Sequence, residues 1–309
     1  MLTYVFTFNS LVFFTKTLKS IMTLILEEEI SIYYYAIITI AILAPLSWIR
    51  TIERFKEGFV FAGFAILFML VTVIVFVTLK VKDQDNEAGP GWQAFNEEHY
   101  WTMISISFVM FEGIPSVLPI MEASNCKEEF SYILVAALAT LLVIDIVFAE
   151  LCYYAYGDTM KEPLVMLELP EAHPAVIIAK ILFCIMILIA YPLIVYVCNQ
   201  VIEYNLFRSM EFSPLRYWLK NLTRTIVVIT ATFIAVSVYH VLHKVIGLAG
   251  VILGGFIVMI VPSLIHNKLT ANSLGDRCLN YFLIIYAIVG AIVITIVILY
   301  QEFGGGSHS

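Results

Sequence analysis

One apolar stretch of this chain carries a carboxylate together with residues that interrupt a helix. It reads Ser105-Ile-Ser-Phe-Val-Met-Phe-Glu-Gly-Ile-Pro-Ser-Val-Leu-Pro-Ile-Met-Glu122. Because Pro115 lacks an N–H and its ring opposes the preceding turn, the sequence predicts a helix break at Gly113 and Pro115. A broken helix at membrane depth is tolerated where it lines a cavity, and Glu112 at the break is a candidate functional group. The alternative is a proline-kinked structural helix with Glu112 near a membrane surface.

Two other apolar stretches contain residues of interest. Asp145 lies deep in the stretch 130–156, where a carboxylate is costly, so it is a second candidate for a proton-titrating group beside Glu112. The alternative is that Asp145 hydrogen-bonds a neighbouring helix. Pro192 predicts another kink or break in the stretch 174–204. Serine and threonine are absent between residues 175 and 197, which argues against a sodium site built from hydroxyls there.

The composition places the whole chain in a lipid bilayer. Of its 309 residues, 61% are hydrophobic and only 13% are charged, and the mean hydropathy is +0.94. Soluble domains average about 45–50% apolar and about 25% charged residues. The net charge is −7 and the sequence contains no block of basic residues, so it predicts no nucleic-acid partner. We find no catalytic triad, phosphate-binding glycine loop or metal-ligand spacing, and therefore expect neither an enzyme nor a cofactor.

The chain is predicted to form one all-helical, multi-pass membrane domain over residues 1–301, followed by a flexible tail or expression scar at 302–309. A spanning helix needs about 20 apolar residues. Lys16, Lys19 and Lys180 near predicted helix ends are expected to snorkel towards water. The nine stretches that qualify are 2–24, 31–49, 58–80, 100–121, 130–156, 174–204, 221–241, 245–266 and 279–301.

The basic residues between these stretches predict the orientation. Cytoplasmic loops are enriched in lysine and arginine, and the clusters around Arg50 and from Arg208 to Arg224 fall on one side of the predicted membrane. We therefore expect that side to be cytoplasmic. Lys16, Lys19 and Lys180 then belong to the exterior or to the lumen of an organelle.

Several stretches resemble the amino acid/auxin permeases, a family that includes proton-coupled and vacuolar amino acid transporters. The aromatic-Glu-Gly core and Val-Leu-Pro turn of 111–122 are similar to the sixth helix of that family. Tyr153-Tyr-Ala-Tyr-Gly-Asp158 resembles the end of its seventh helix. Lys220-Asn-Leu-Thr-Arg224 and the glycine-rich stretch 247–255 resemble the starts of its ninth and tenth helices.

The resemblance implies a leucine-transporter-like fold of two inverted five-helix repeats and an eleventh helix. Matching the motifs makes 100–121 the sixth helix and 279–301 the eleventh, so this chain is expected to lack the first two helices. Whether Met1 is the native start stays open. The resemblance also implies a substrate site at Phe111, Glu112, Gly113 and Ile114. The first helix normally faces the sixth across this site, so we expect a protein partner to cover the open half.

Two main functions follow as hypotheses. The first is secondary, proton-coupled symport of small amino acids by alternating access, with Glu112 or Asp145 as the proton-linked group. The second is a non-transporting structural subunit of a larger membrane complex, built on a degenerate permease scaffold. A sensor that binds an amino acid without moving it is a third. The sequence leaves the plasma, vacuolar or lysosomal and mitochondrial inner membranes open as locations.

Overall fold

The described part of the chain is helical and divides into two compact units. The computed structural model describes residues 2–28, 30–50, 56–96, 100–110, 117, 120–122, 124, 127–160, 162, 164–238, 242–270 and 273–303. Within these ranges the backbone forms helices, turns and irregular connections without a strand. The first unit comprises Thr3–Trp92 and Phe148–His240, and the second comprises Gln93–Val147 and Val241–Ser309. This architecture confirms the prediction of an all-helical membrane protein.

The helices of the first unit are long and mostly apolar. They are α1 (Leu2–Leu26), α2 (Ile32–Ser47), α3 (Lys56–Asp83), the end of α5 (Phe130–Tyr156), α6 (Pro174–Phe207) and α7 (Pro214–Ser237). Two short 3₁₀ turns, Gly157–Thr159 and Val165–Leu167, connect α5 to α6. Both α6 and α7 start at a proline in the first turn, where the missing N–H costs nothing.

The second unit is built around a helix that widens in its middle. It contains α4 (Tyr100–Met110), most of α5, α8 (Leu242–Ala249), α9 (Val261–Leu269) and α10 (Leu274–Phe303). Between α8 and α9 the backbone passes through two π-helical segments, Gly250–Gly254 and Phe256–Ile260. The first of these segments falls in the glycine-rich stretch 247–255 and the second follows it, and α4 packs against α8 and the first segment.

Six of the described helices are long and apolar enough to cross a membrane. They are Gly58–Asp83, Phe130–Thr159, Pro174–Phe207, Pro214–Ser237, Gly247–Leu269 and Leu274–Val297. The apolar helix α2 is shorter. The predicted stretch 100–121 is helical as far as Met110, and residues 111–116 lie outside the described part. The predicted stretch 221–241 begins earlier, at Pro214, because Ser213 caps the helix by accepting a hydrogen bond from the backbone N–H of Arg216.

Apolar packing joins α3, α5 and α6 in the first unit. Val77 and Ala155 are fully buried there, and Val176 of α6 packs against the same cluster. A second contact point lies where the loop after α3 meets the end of α5. The backbone N–H of Asp158 donates to the carbonyl of Pro90 at 2.9 Å. Gly157 has a φ of +51°, and a Cβ added there would lie 2.1 Å from the Pro90 oxygen.

Candidate functional site

The residues predicted to bind substrate all fall outside the described part of the chain. Phe111, Glu112, Gly113, Ile114 and Pro115 all lie there. The structure describes the helix that precedes them, since α4 ends at Met110, directly before Phe111. The site at 111–114 therefore stays a prediction.

The other two predicted positions are described. Asp145 lies in the middle of α5, half-buried, in the part of that helix that belongs to the second unit. Pro192 lies inside α6 and is buried, next to the fully buried Tyr191. The backbone stays helical on both sides of Pro192, so any effect of this proline takes the form of a kink and leaves the helix continuous.

The first unit contains a polar cavity of about 650 Å³ at one end. The second half of α1, the start of α2, the end of α7 and the connection between α5 and α6 form its walls. Both signs of charge line it, along with several hydroxyl groups. The lining residues are Lys16, Lys19, Ser20, Thr23, Ile32, Tyr33, Glu162, Leu167, Glu171, Val236 and Ser237.

Two ion pairs tie the walls of this cavity together. Lys16 on α1 pairs with Glu162, and its side chain is only 9% exposed. Lys180 on α6 donates to the hydroxyl of Ser20 at 2.8 Å and lies 3.5 Å from a carboxylate oxygen of Glu171. Ser20 in turn donates to Glu171 at 2.9 Å. The expectation that Lys16 and Lys180 snorkel to water is wrong, because partners on neighbouring elements let both lysines stay buried.

A second ion-pair cluster lies at the other end of α6. Glu203 accepts from Arg224 Nε at 2.6 Å and from Lys220 Nζ at 2.9 Å. Arg224 Nη1 donates to the backbone oxygens of Ser47 at 2.8 Å and Ile49 at 3.2 Å. Ser47 is the last residue of α2, where helix carbonyls lack a partner within the helix, and Ile49 lies just after the helix. The cluster thus holds α2, α6 and α7 together through nearly buried charges.

The polar cavity and the second ion-pair cluster are separated along α6 by about one membrane thickness. Lys180 and Glu203 are 23 residues apart on the same helix, which corresponds to about 35 Å at 1.5 Å per residue. The hydrocarbon core of a bilayer is about 30 Å thick. The residues between them are apolar except for a few polar groups such as Asn199. The two clusters therefore lie at opposite membrane surfaces, and their basic residues separate into the two groups used to predict the orientation.

Chemically, the cavity at the Lys16 end presents ammonium, carboxylate and hydroxyl groups side by side. Such a set suits a small ligand that carries both charges. Among the described residues, no group of three histidine, cysteine, aspartate or glutamate side chains is placed to hold a metal ion.

Comparison with known proteins identifies a family for this chain. The family model described as transmembrane amino acid transporter protein matches residues 4–301. The chain belongs to this family. No solved structure matches it significantly.

Curated relatives of this family member are named as amino acid transporters. Vacuolar amino acid transporter 4 of Saccharomyces cerevisiae is 27% identical over 86% of this chain and 40% of its own length. Vacuolar amino acid transporter 3 of Schizosaccharomyces pombe is 26% identical over 88% of this chain and 41% of its own length. Amino acid transporter ANT1 of Arabidopsis thaliana is 24% identical, over 91% of this chain and 67% of its own length. The chain thus spans less than half the length of the two fungal relatives.

The structure gives physical roles to the motifs that carried the family resemblance. Lys220 and Arg224 of the ninth-helix motif both bind Glu203. Gly157 of the seventh-helix motif provides the positive φ and the space that Pro90 requires. The polar cavity was missed by the sequence reasoning. Lys16 and Glu162 are 146 residues apart, and the local signal in the sequence was a lysine within an apolar stretch.

Proposed function

We propose that this protein moves small amino acids across a membrane by alternating access, coupled to protons. The observation that carries the proposal is the family match over residues 4–301. The relatives named as amino acid transporters support the substrate class. The absence of serine and threonine from the centre of α6 favours protons over sodium, because hydroxyl groups commonly complete sodium sites. No catalytic step is part of this proposal.

For the substrate site we propose the segment of Phe111, Glu112, Gly113 and Ile114. Two features of the second unit support it. The helix α4 ends directly before this segment, and α4 also packs against the π-helical segment Gly250–Gly254. π-helical turns occur frequently at functional sites, since they shift backbone groups out of the regular hydrogen-bond ladder. Glu112 is the first candidate for the proton-linked group, and Asp145 is the second.

Uptake by the purified chain tests the proposal. Proteoliposomes containing the protein should accumulate labelled L-alanine when the outside is made acidic, and a protonophore should abolish the accumulation. Glu112→Gln removes the titratable proton with little change of shape and should abolish the response to the pH gradient. Glu128→Gln, at an exposed turn position, is the matched control and should behave as the original chain. Accumulation by the Glu112→Gln protein equal to that of the control would contradict the assignment of Glu112.

The competing function is a non-transporting subunit in which another polypeptide covers the half-site implied by the resemblance. That function predicts no uptake by the chain alone and a stoichiometric membrane partner that co-purifies in mild detergent. Uptake by the purified chain alone would rule it out.

A further inference from the structure

The polar cavity of the first unit contains groups that its own ion pairs do not use. Lys19 lines the cavity, and none of the described residues forms an ion pair with it. Thr23 lines the same cavity, and its buried hydroxyl has no hydrogen-bond partner among the residues that the structure describes. A buried hydroxyl without a partner is unfavourable, so a ligand that supplies one is stabilised there.

Lys19 and Thr23 are placed to act on one ligand group. They are four residues apart on α1, which puts their side chains on the same face of the helix, one turn apart. An ammonium and a hydroxyl in this arrangement are both donors, and a carboxylate accepts from both. Charge-assisted hydrogen bonds of this kind are the stronger ones.

Glu171, in the connection between α5 and α6, supplies the negative charge that an ammonium group requires. Glu171 accepts one hydrogen bond from Ser20 and lies 3.5 Å from Lys180, while its side chain remains 54% exposed. A carboxylate has about four acceptor positions, so Glu171 keeps the capacity to bind an ammonium in the cavity. Ser20 follows Lys19 directly on α1 and links the two sides of the cavity.

We propose that this cavity is an entry site for the zwitterionic head of an α-amino acid. Lys19 and Thr23 bind the carboxylate, and Glu171 binds the α-ammonium. The volume of about 650 Å³ lies within the range of about 300–1,000 Å³ that small-molecule sites occupy. The site lies at the membrane surface opposite the ion-pair cluster of Glu203, Lys220 and Arg224. It shares no residue with the proposed substrate segment 111–114. The assignment of an amino acid as ligand rests on the proposed transport function.

Equilibrium binding of labelled L-alanine to the purified full chain tests this site. The measurement is made on the Glu112→Gln protein, so that the proposed site at 111–114 is impaired and the cavity dominates the signal. Saturable binding should remain, and adding Lys19→Gln or Thr23→Val should weaken it about tenfold or more. L-Alanine methyl ester and N-acetyl-L-alanine should not compete, because each lacks one of the two charges.

The controls separate binding from folding. Lys268→Gln removes an exposed lysine at the end of α9 and should leave binding unchanged. Thr23→Val should unfold at the same temperature as the parent protein or higher, because the lost hydroxyl has no described partner. If the Lys19 and Thr23 variants bind as tightly as the Lys268 control, or if the Glu112→Gln protein binds no alanine, the entry site is refuted.

The same variants distinguish a failure of this site from a failure of transport. Alanine uptake with the original KM in Lys19→Gln would overturn the entry site and leave transport intact. Alanine binding that depends on Lys19, without uptake by the original chain, would overturn transport and leave the cavity as a binding site.

Discussion

Replacing Arg224 by leucine should destabilise the first unit strongly. The Arg224 side chain is 3% exposed and connects Glu203 on α6 to the backbone carbonyls of Ser47, at the end of α2, and Ile49, just after it. The substitution leaves Glu203, itself 9% exposed, with Lys220 as its remaining partner in this cluster. Removing one member of a buried ion pair costs about 3–5 kcal/mol, because the other charge stays buried without full compensation. The carbonyls of Ser47 and Ile49 lose their donor as well.

Thermal or denaturant unfolding of the purified protein in detergent measures this loss. The matched control is Arg208→Leu, which removes an exposed arginine at the C-terminal end of α6, the helix that carries Glu203. We expect the control to change the free energy of unfolding by less than about 1 kcal/mol. The double variant Glu203→Leu/Arg224→Leu removes both charges and should recover part of the loss, since leucines pack without a desolvation cost. An Arg224→Leu protein as stable as Arg208→Leu would refute the buried cluster.

A pair of glycine substitutions in each unit tests its packing. Gly157→Ala should lower the unfolding temperature and expose the loop 84–92 to proteolysis, because its Cβ would meet the Pro90 oxygen at 2.1 Å and φ is +51°. The control Gly63→Ala, whose Cβ would have nothing within 4 Å, should be neutral or stabilise the protein by up to about 1 kcal/mol. Equal proteolysis of the two variants would contradict the close contact at Gly157. Gly255→Ala should be tolerated, since its Cβ would lie 3.9 Å from that of Ala287. Gly255→Leu should destabilise the second unit in the same unfolding assay. A leucine variant as stable as the alanine variant would show that α10 does not approach Gly255 so closely.

Apolar length was sufficient to predict where most of the helices lie. The stretches 130–156 and 174–204 are long and nearly free of charge, and helices occupy both ranges. The start of α7 was missed because Lys220 interrupts the apolar pattern just before residue 221. Lys220 is helical, and Glu203 on α6 compensates its charge. The π-helical segments were not foreseen either, because glycine spacing indicates close packing without specifying the hydrogen-bond register.

The candidate site was predictable only in part. Glu112, Gly113 and Pro115 could be singled out because a charge and a helix-breaking pair are unusual at membrane depth. The polar cavity could not be predicted, because Lys16 and Lys19 precede Glu162 and Glu171 by about 150 residues, and no local pattern links them. A lysine in an apolar stretch is consistent with snorkelling or with a buried partner, and only the fold decides between the two.

Counterflow exchange tests the central claim most directly. Proteoliposomes of the purified chain are loaded with unlabelled L-alanine and diluted into a trace of labelled L-alanine, with no pH or ion gradient imposed. A carrier that exposes its site alternately to each side predicts a transient accumulation of label inside the vesicles, whatever ion is coupled. Label uptake no greater than in protein-free liposomes would contradict the claim that this chain is an amino acid transporter.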